Sequence, residues 1–379
     1  MVLISTIKIN GYRKFSNFQL NNLSRINFFV GNNNVGKTTI LEAVYGLASG
    51  RNLSPFFWTG IQRKSSPQNF TAYHIADNIV SSVNNKTNIP FKFELSAIDD
   101  DKEINFAHTI LLGDVFKDFV YNVAMNNAMN NTISNNAIPT DFGLSTINNF
   151  ASPNNIPLAQ WDIIGSDGIR KSFILNWPNL FIENVSPQKL ASFKDISAHR
   201  NMDENRKIFT YLKRQNLLKM FITEMQSLFP EIEDIDILPY QDNSLAPVSI
   251  KAFHNEYFPL DTFGDGLRRL YQIIGSLIFY RNSIICIDEI DATLHPQAQG
   301  DLCRYIILYA RKYNVQMFVT THNLEFIDNF LRTWNTNYSN NDDVRIITMK
   351  NNDNSELRIR TMTGEQALSA RDDFQLELR

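Results

Sequence analysis

An α/β fold, a mixed sheet flanked by helices, is predicted by three stretches of this chain. The first is Gly31-Asn32-Asn33-Asn34-Val35-Gly36-Lys37-Thr38-Thr39, which fits the phosphate-loop pattern G-x-x-x-x-G-K-[ST]. The second, Asn282 to Asp291, is an apolar run that ends in Asp288 and Glu289. The third, Val315 to His322, is another apolar run ending in polar groups. Continuous apolar runs tipped with polar residues are how parallel strands read when both faces are buried and the C-terminal edge carries chemistry. The fold expected is therefore of the P-loop NTPase kind.

Bulk properties narrow the class. A chain of 379 residues can bury one large core or two smaller ones. With 43% hydrophobic and 20% charged residues its composition is that of an ordinary globular protein. No apolar stretch reaches the ~18–20 residues needed to span a bilayer. The N-terminus alternates like a strand and lacks the basic-then-apolar order of a signal peptide. Two cysteines, Cys286 and Cys303, make no disulfide framework. A cytoplasmic location without membrane contact is the expectation. A net charge of −3 exerts no global pull on nucleic acid, so any such binding needs a local patch.

Taken in order, residues 2–10 and 15–20 read as two strands around a turn at Gly11-Tyr12-Arg13-Lys14. Arg25 to Val30 is an apolar, β-prone strand, and Thr38 to Leu47 has apolar residues at helical spacing. The phosphate loop between them would aim backbone N–H groups and a helix N-terminus at the β- and γ-phosphates of a nucleotide. Lys37 would neutralise phosphate charge and the Thr38 hydroxyl would ligate Mg²⁺. Arg51 to Phe70 is irregular. Its aromatic cluster, Phe56, Phe57 and Trp58, reads as satellite core more readily than as an adenine platform. Residues 90–112 alternate as a hairpin turning at Asp99-Asp100-Asp101, a solvated turn rather than a metal site. From Gly113 to about Ser166 asparagine becomes dense, as in loop or poorly specified helix. Residues 200–229 are helical.

The basic residues around that helix, His199, Arg200, Arg206, Lys207, Lys213, Arg214 and Lys219, could meet DNA or a partner. Interleaved Asp203, Glu204 and Glu224 favour a solvated face. Two strands follow, Ile232 to Leu238 and Pro247 to Phe253. The organisation expected is an N-terminal lobe over 1–64, an inserted and mainly helical subdomain over 65–235, and a C-terminal lobe over 236–379.

In the C-terminal lobe, Phe263-Gly264-Asp265-Gly266-Leu267 opens a helix that runs to about Tyr280. Asp288 would hold Mg²⁺, and Glu289 would orient or deprotonate the attacking water. His322 ends its strand where an imidazole could meet the γ-phosphate. Helices near 296–311 and 323–334, strands near 344–349 and 355–361, and a last helix from Thr363 complete the chain.

These motifs, in this order, resemble the ATP-binding-cassette type of AAA family ATPase in the SMC/RecF/OLD group. More narrowly, the chain is similar to AbiL- and PARIS-type phage-defence ATPase subunits. The resemblance covers roughly 1–60 and 245–379. It implies that Gly31–Thr39 is the Walker A loop and Ile284–Glu289 the Walker B strand. Gly264, Asp265 and Gly266 stand at the signature motif, Ala292–His295 at the D-loop and His322 at the switch histidine. Glycine stands where transporter-type signatures carry serine, so one hydroxyl is missing.

The implied cofactors are ATP and Mg²⁺. The implied partners are a second copy, joined head to tail across the nucleotide, and a separately encoded effector such as a nuclease, with DNA as a further candidate. No Toprim nuclease domain of the kind OLD-type proteins carry is expected after the last helix, and on that expectation the resemblance implies a sensor or scaffold role in phage defence. A RecF- or SMC-like repair ATPase is the alternative reading, and a transporter motor fits worst.

Overall fold

The computed structural model describes residues 4–53, 55–56, 90–99, 102–112, 156–177, 190–238, 246–253, 255–338, 342–352 and 356–374. The chain opens with an antiparallel pair, β1 (Ile4–Tyr12) and β2 (Phe15–Leu20), joined by a two-residue turn. β3 (Ile26–Gly31) leads through the glycine-rich loop into α1 (Lys37–Ser49). Four strands follow: β4 (Phe91–Asp99), β5 (Lys102–Leu112), β6 (Ile156–Gly165) and β7 (Arg170–Trp177). After β8 (Ala191–Lys194) come two helices, α2 (Met202–Arg214) and α3 (Leu218–Leu228). The short strands β9 (Asp234–Ile237), β10 (Val248–Ala252) and β11 (Glu256–Pro259) precede α4 (Asp265–Phe279). β12 (Ile284–Ile287), α5 (Pro296–Lys312), β13 (Gln316–Thr321) and α6 (Leu324–Tyr338) then alternate. β14 (Val344–Asn351), β15 (Leu357–Thr363) and α7 (Gly364–Phe374) finish the described chain.

Two compact units divide these elements. One contains Asn22–Leu41 and Lys189–Arg379, and its main sheet has the order β15-β14-β3-β13-β12-β8. All neighbours are parallel except β14 and β15, so the C-terminal ends of β3, β12 and β13 share one edge. Every residue of β3, β12 and β13 is buried, as expected of strands covered on both faces. A single apolar core joins the sheet to α2–α6 and includes Phe28, Ile208, Phe221, Leu270, Ile306 and Phe330. A small antiparallel sheet, β11-β10-β9, adds Ile235 and Ile250 to it.

The other unit contains Ile4–Asn21 and Glu42–Gln188 and is built on an antiparallel sheet ordered β2-β1-β4-β5-β6-β7. Its core is aromatic: Tyr12, Phe56, Phe93 and Trp161 pack with His108.

The expected boundaries differ from this division in three ways. β1 and β2 do not belong to a lobe with the phosphate loop, because β1 pairs with β4 (Ile7 opposite Ala97). Residues 190–235 are not part of the insertion, because β8 pairs with β12 and the apolar faces of α2 and α3 join the core of α4. The insertion is not mainly helical among its described residues, where β4–β7 dominate, and β6 replaces the loop or helix expected up to Ser166. Phe57, Trp58 and the dense asparagines lie outside the described residues, as does the end of the chain after 374. Among the described residues no helix is long and apolar enough to cross a membrane.

Candidate nucleotide site

The phosphate loop begins where β3 passes close to β14. Gly31 has φ 141°, and a Cβ at this position would lie 1.9 Å from the Met349 carbonyl oxygen, so only glycine fits. Gly36, at φ 103°, turns the chain into α1, and Asn34 adopts a left-handed φ of 61° that a short amide tolerates. Val35 is buried beneath the loop while Asn32, Asn33 and Asn34 are exposed. Lys37 is 5% exposed and its ammonium donates to the carbonyls of Gly31 and Asn32, both at 2.7 Å. Burial pulls its pKa down to about 8, against the opposing pull of Asp288 and Glu289. Thr39 is half-buried at the start of the helix.

Two strands deliver the rest. Asp288 lies just past β12, and its Oδ1 accepts from the Thr38 hydroxyl at 3.2 Å and from the Thr320 hydroxyl at 2.6 Å. Thr320 in turn accepts from the Glu289 N–H at 2.8 Å. One hydrogen-bonded path thus runs from the phosphate loop through the Asp288 carboxylate and Thr320 of β13 to the Glu289 backbone N–H after β12. Glu289 itself has a left-handed φ of 49°, an uncommon state for a residue with a long side chain. Asp291 accepts from Thr321, and the Thr321 hydroxyl accepts from Asn323 N–H at 3.0 Å, which fixes the turn carrying His322. His322 is half-buried. Burial lowers its pKa, as does the charge of Lys37, while Glu289, Asp291 and Asp288 oppose the shift.

Lys37, Thr38, Asp288, Glu289 and His322 are therefore brought to one sheet edge. The glycine stretch at 264–266 is placed differently. Gly264 is the N-cap of α4 and contributes no side-chain cap, and among the described residues a Cβ there would meet nothing within 4 Å. Gly266 faces the Thr293 carbonyl, 3.4 Å from where its Cβ would be, so this stretch adjoins the turn after Asp291. The Asp265 carboxylate turns onto basic neighbours: Arg268, Arg200 at 3.3 Å and the buried His199 at 3.2 Å. Although burial pushes the other way, Arg268 leads these neighbours in holding the Asp265 carboxyl below the usual carboxylate range. His199 is thus not part of a solvated helix face, being 2% exposed.

Two residues with a clear place at the site have no advance signal in periodicity. Thr320 reads as one more β-branched strand residue. Arg269, 2% exposed on α4, donates to the carbonyls of Asp288, Glu289, Ile290 and Ile196. The one cue for Thr320 is a hydroxyl at the polar end of an apolar strand; Arg269 has none beyond its proximity to Gly266.

Comparison with known proteins adds a class to this geometry. Residues 179–327, which include Asp288, Glu289 and His322, match the AAA ATPase domain family. Residues 26–127, which include the phosphate loop, match a family described as "AAA domain, putative AbiEii toxin, Type IV TA system". The chain is an ATPase. The ATPase is 22% identical over 343 residues to an ATP/GTP phosphatase of Helicobacter pylori, covering 86% of this chain and 87% of that one. It is 40% identical over 52 residues to the DNA replication and repair protein RecF of Coxiella burnetii, 14% of this chain and 15% of the other. Among solved structures it is similar to an SMC head bound to the C-winged helix domain of ScpA. That match has TM-score 0.49 and 13% identity, covering 97% of this chain and 99% of that one.

Proposed function

We propose that this ATPase is an ABC-type, Mg²⁺-dependent switch that pairs two copies around ATP and times their separation by hydrolysis. The observation that carries the reading is the path Thr38–Asp288–Thr320–Glu289, which ties the phosphate loop to the Asp288 carboxylate and to the backbone N–H of Glu289. Lys37, which closes on two backbone carbonyls of its own loop, would exchange those oxygens for phosphate oxygens of the nucleotide. Anionic oxygens would also restore the proton affinity that burial takes from it.

One carboxylate and one hydroxyl, Asp288 and Thr38, are a donor set suited to Mg²⁺, which keeps most of its waters and borrows phosphate oxygens. No cluster of three or more acidic, histidine or cysteine ligands exists among the described residues to suggest another metal. The ion would supply charge neutralisation between the phosphates. Glu289 would align a water and accept its proton, His322 would contact the γ-phosphate, and Gly31–Thr39 would cradle the phosphates with backbone N–H groups. Gly264, Asp265 and Gly266 would serve the nucleotide of a second copy. Among the described residues nothing lies within 4 Å of a Cβ at Gly264, and the N-cap of the long helix there makes no side-chain cap bond, which supports this, since backbone N–H groups at a helix N-terminus favour an anion.

As a biological role we favour a sensor or scaffold subunit of an anti-phage system that controls a separately encoded effector. Support comes from the toxin–antitoxin family matched by residues 26–127. A second reading, a DNA-binding repair ATPase, is favoured by the short match to RecF. DNA-stimulated turnover would move the balance to it.

The deciding experiment sizes the protein by light scattering with and without ATP and Mg²⁺, for wild type and Glu289→Gln. Glu289→Gln should turn over ATP roughly 10²–10³-fold more slowly and double in mass with ATP. A variant that stays single with ATP bound removes the pairing, and one that hydrolyses normally removes Glu289 from its role.

A further inference from the structure

The Glu289 peptide is held from both sides. Its N–H goes to the Thr320 hydroxyl at 2.8 Å, and its C=O accepts from Arg269. Arg269 also reaches the carbonyls on either side, Asp288 at 3.1 Å and Ile290 at 3.4 Å, and a fourth, Ile196, at 2.9 Å. Three successive carbonyls of an extended strand point to alternating sides and cannot meet one guanidinium. They meet here because Glu289, at φ 49°, folds the chain back on itself.

A planar fork of five donors suits that convergence, whereas an ammonium would serve it only in part. The bonds of this buried guanidinium run to carbonyls, and the carboxylates of Asp291, Asp195, Glu289 and Asp288 act on its charge from farther away. A residue kept merely to neutralise one of them would be expected to bond that carboxylate.

We infer that Arg269 is the positioning residue for Glu289: through the carbonyls of residues 288–290 it fixes the left-handed turn that aims the Glu289 carboxylate. The inference rests on the reading of Glu289 as the group that activates water. It adds a coupling, because Arg269 stands one turn into the helix that begins at Gly264–Gly266. A shift of α4 when those glycines meet a nucleotide of a second copy is passed to Glu289 by direct hydrogen bonds. The glycines need no contact with the catalytic carboxylate of their own chain.

The test uses the full chain with Arg269→Lys and Arg269→Gln, each alone and combined with Glu289→Gln. Rates are expressed per ATP-binding site, titrated with a fluorescent ATP analogue, so unfolded material does not count. Misplacing a catalytic group by about an ångström costs on the order of a hundredfold. The single variants should therefore lose roughly thirty- to a hundredfold in kcat, Lys less than Gln, with nucleotide affinity within about twofold of wild type. In the Glu289→Gln background the same changes should slow the residual rate by less than about twofold, because the group they position is already gone.

Full kcat in both single variants overturns the inference. So does an equal loss with and without Glu289, which would make Arg269 a general support of the fold. If Glu289→Gln itself hydrolyses normally, the reading of Glu289 fails first. If it is inactive while the Arg269 variants are normal, only the positioning role falls.

Discussion

The sheet ordered β15-β14-β3-β13-β12-β8 gathers its polar groups at one edge, whereas the sheet ordered β2-β1-β4-β5-β6-β7 seals polar groups inside. Their histidines show the difference. His322 follows the last residue of a parallel strand, half-buried and within the fields of Lys37 and three carboxylates. His108 sits mid-strand, 1% exposed, stacked on Phe93 at 4.2 Å, with its Nδ1 accepting from Trp161 Nε1 at 3.2 Å. One imidazole has charged company and access; the other is a flat ring with one satisfied lone pair. A histidine acquires chemistry from the strand end it occupies, and parallel strands bring such ends together while antiparallel strands scatter them.

The largest effect expected from breaking this contrast is at the parallel edge. Lys37→Ala removes the buried ammonium that bridges Gly31 and Asn32. Each charge-assisted hydrogen bond to phosphate contributes about 1.5–3 kcal/mol, so two of them amount to roughly a hundredfold or more in affinity. Calorimetric titration with ATP and Mg²⁺ should show binding near or below detection, while thermal unfolding of the apo protein shifts little. Full-affinity binding by this variant would remove the phosphate loop from the site.

How much of this contrast was legible in the sequence follows from which interactions are local. The phosphate loop, the strand ending in Asp288-Glu289 and the strand ending in His322 are local patterns, and each occupies the edge it was expected to occupy. Long-range pairing is not local. Nothing in the alternation of residues 4–12 says that β1 will lie beside β4 rather than beside β3, and an apolar helix face at Ile208 and Leu212 does not say which core it enters. The division expected at 64 and 235 differs from the observed one for that reason. β6 lay hidden because a dense run of asparagine precedes it, although Trp161 and Ile163 alternate inward within it. Arg269 was illegible because a buried arginine is specified by the carbonyls it meets, and those come from a different element.

A smaller effect is expected at Thr320, which the register of β12 and β13 sets beside Asp288. Thr320→Val keeps shape and strand preference but removes both the donor to Asp288 and the acceptor for Glu289 N–H. Leaving this part-buried N–H without its partner costs about 1 kcal/mol of stability, the lower end of the range for a buried donor. Turnover should fall by roughly tenfold, with ATP affinity nearly unchanged. Wild-type turnover in Thr320→Val would mean that Thr38 alone suffices to hold the Asp288 carboxylate in place.

The smallest effect on turnover, none, is expected in the antiparallel sheet, where the consequence is instead a dependence on pH. Burial drives the His108 pKa from 6.5 to about 3, so the folded chain keeps this ring neutral while the unfolded chain protonates it. Below pH 6.5 the unfolded state therefore binds the extra proton, and stability falls with falling pH by about 1.4 kcal/mol per unit until the folded pKa is reached. His108→Phe keeps an aromatic ring against Phe93 but cannot protonate, and it leaves Trp161 Nε1 without its acceptor. The variant should be less stable than wild type at pH 7, by about 1–2 kcal/mol, and should lose less on going to pH 5. Urea unfolding at the two values separates the outcomes: equal losses for both proteins would show that His108 does not carry the acid sensitivity. Because the ring is sealed in a sheet that contributes none of the catalytic side chains, ATP turnover per binding site at pH 7 should be the same in both. A change there would mean that the antiparallel sheet does more for the nucleotide site than its residues, taken alone, indicate.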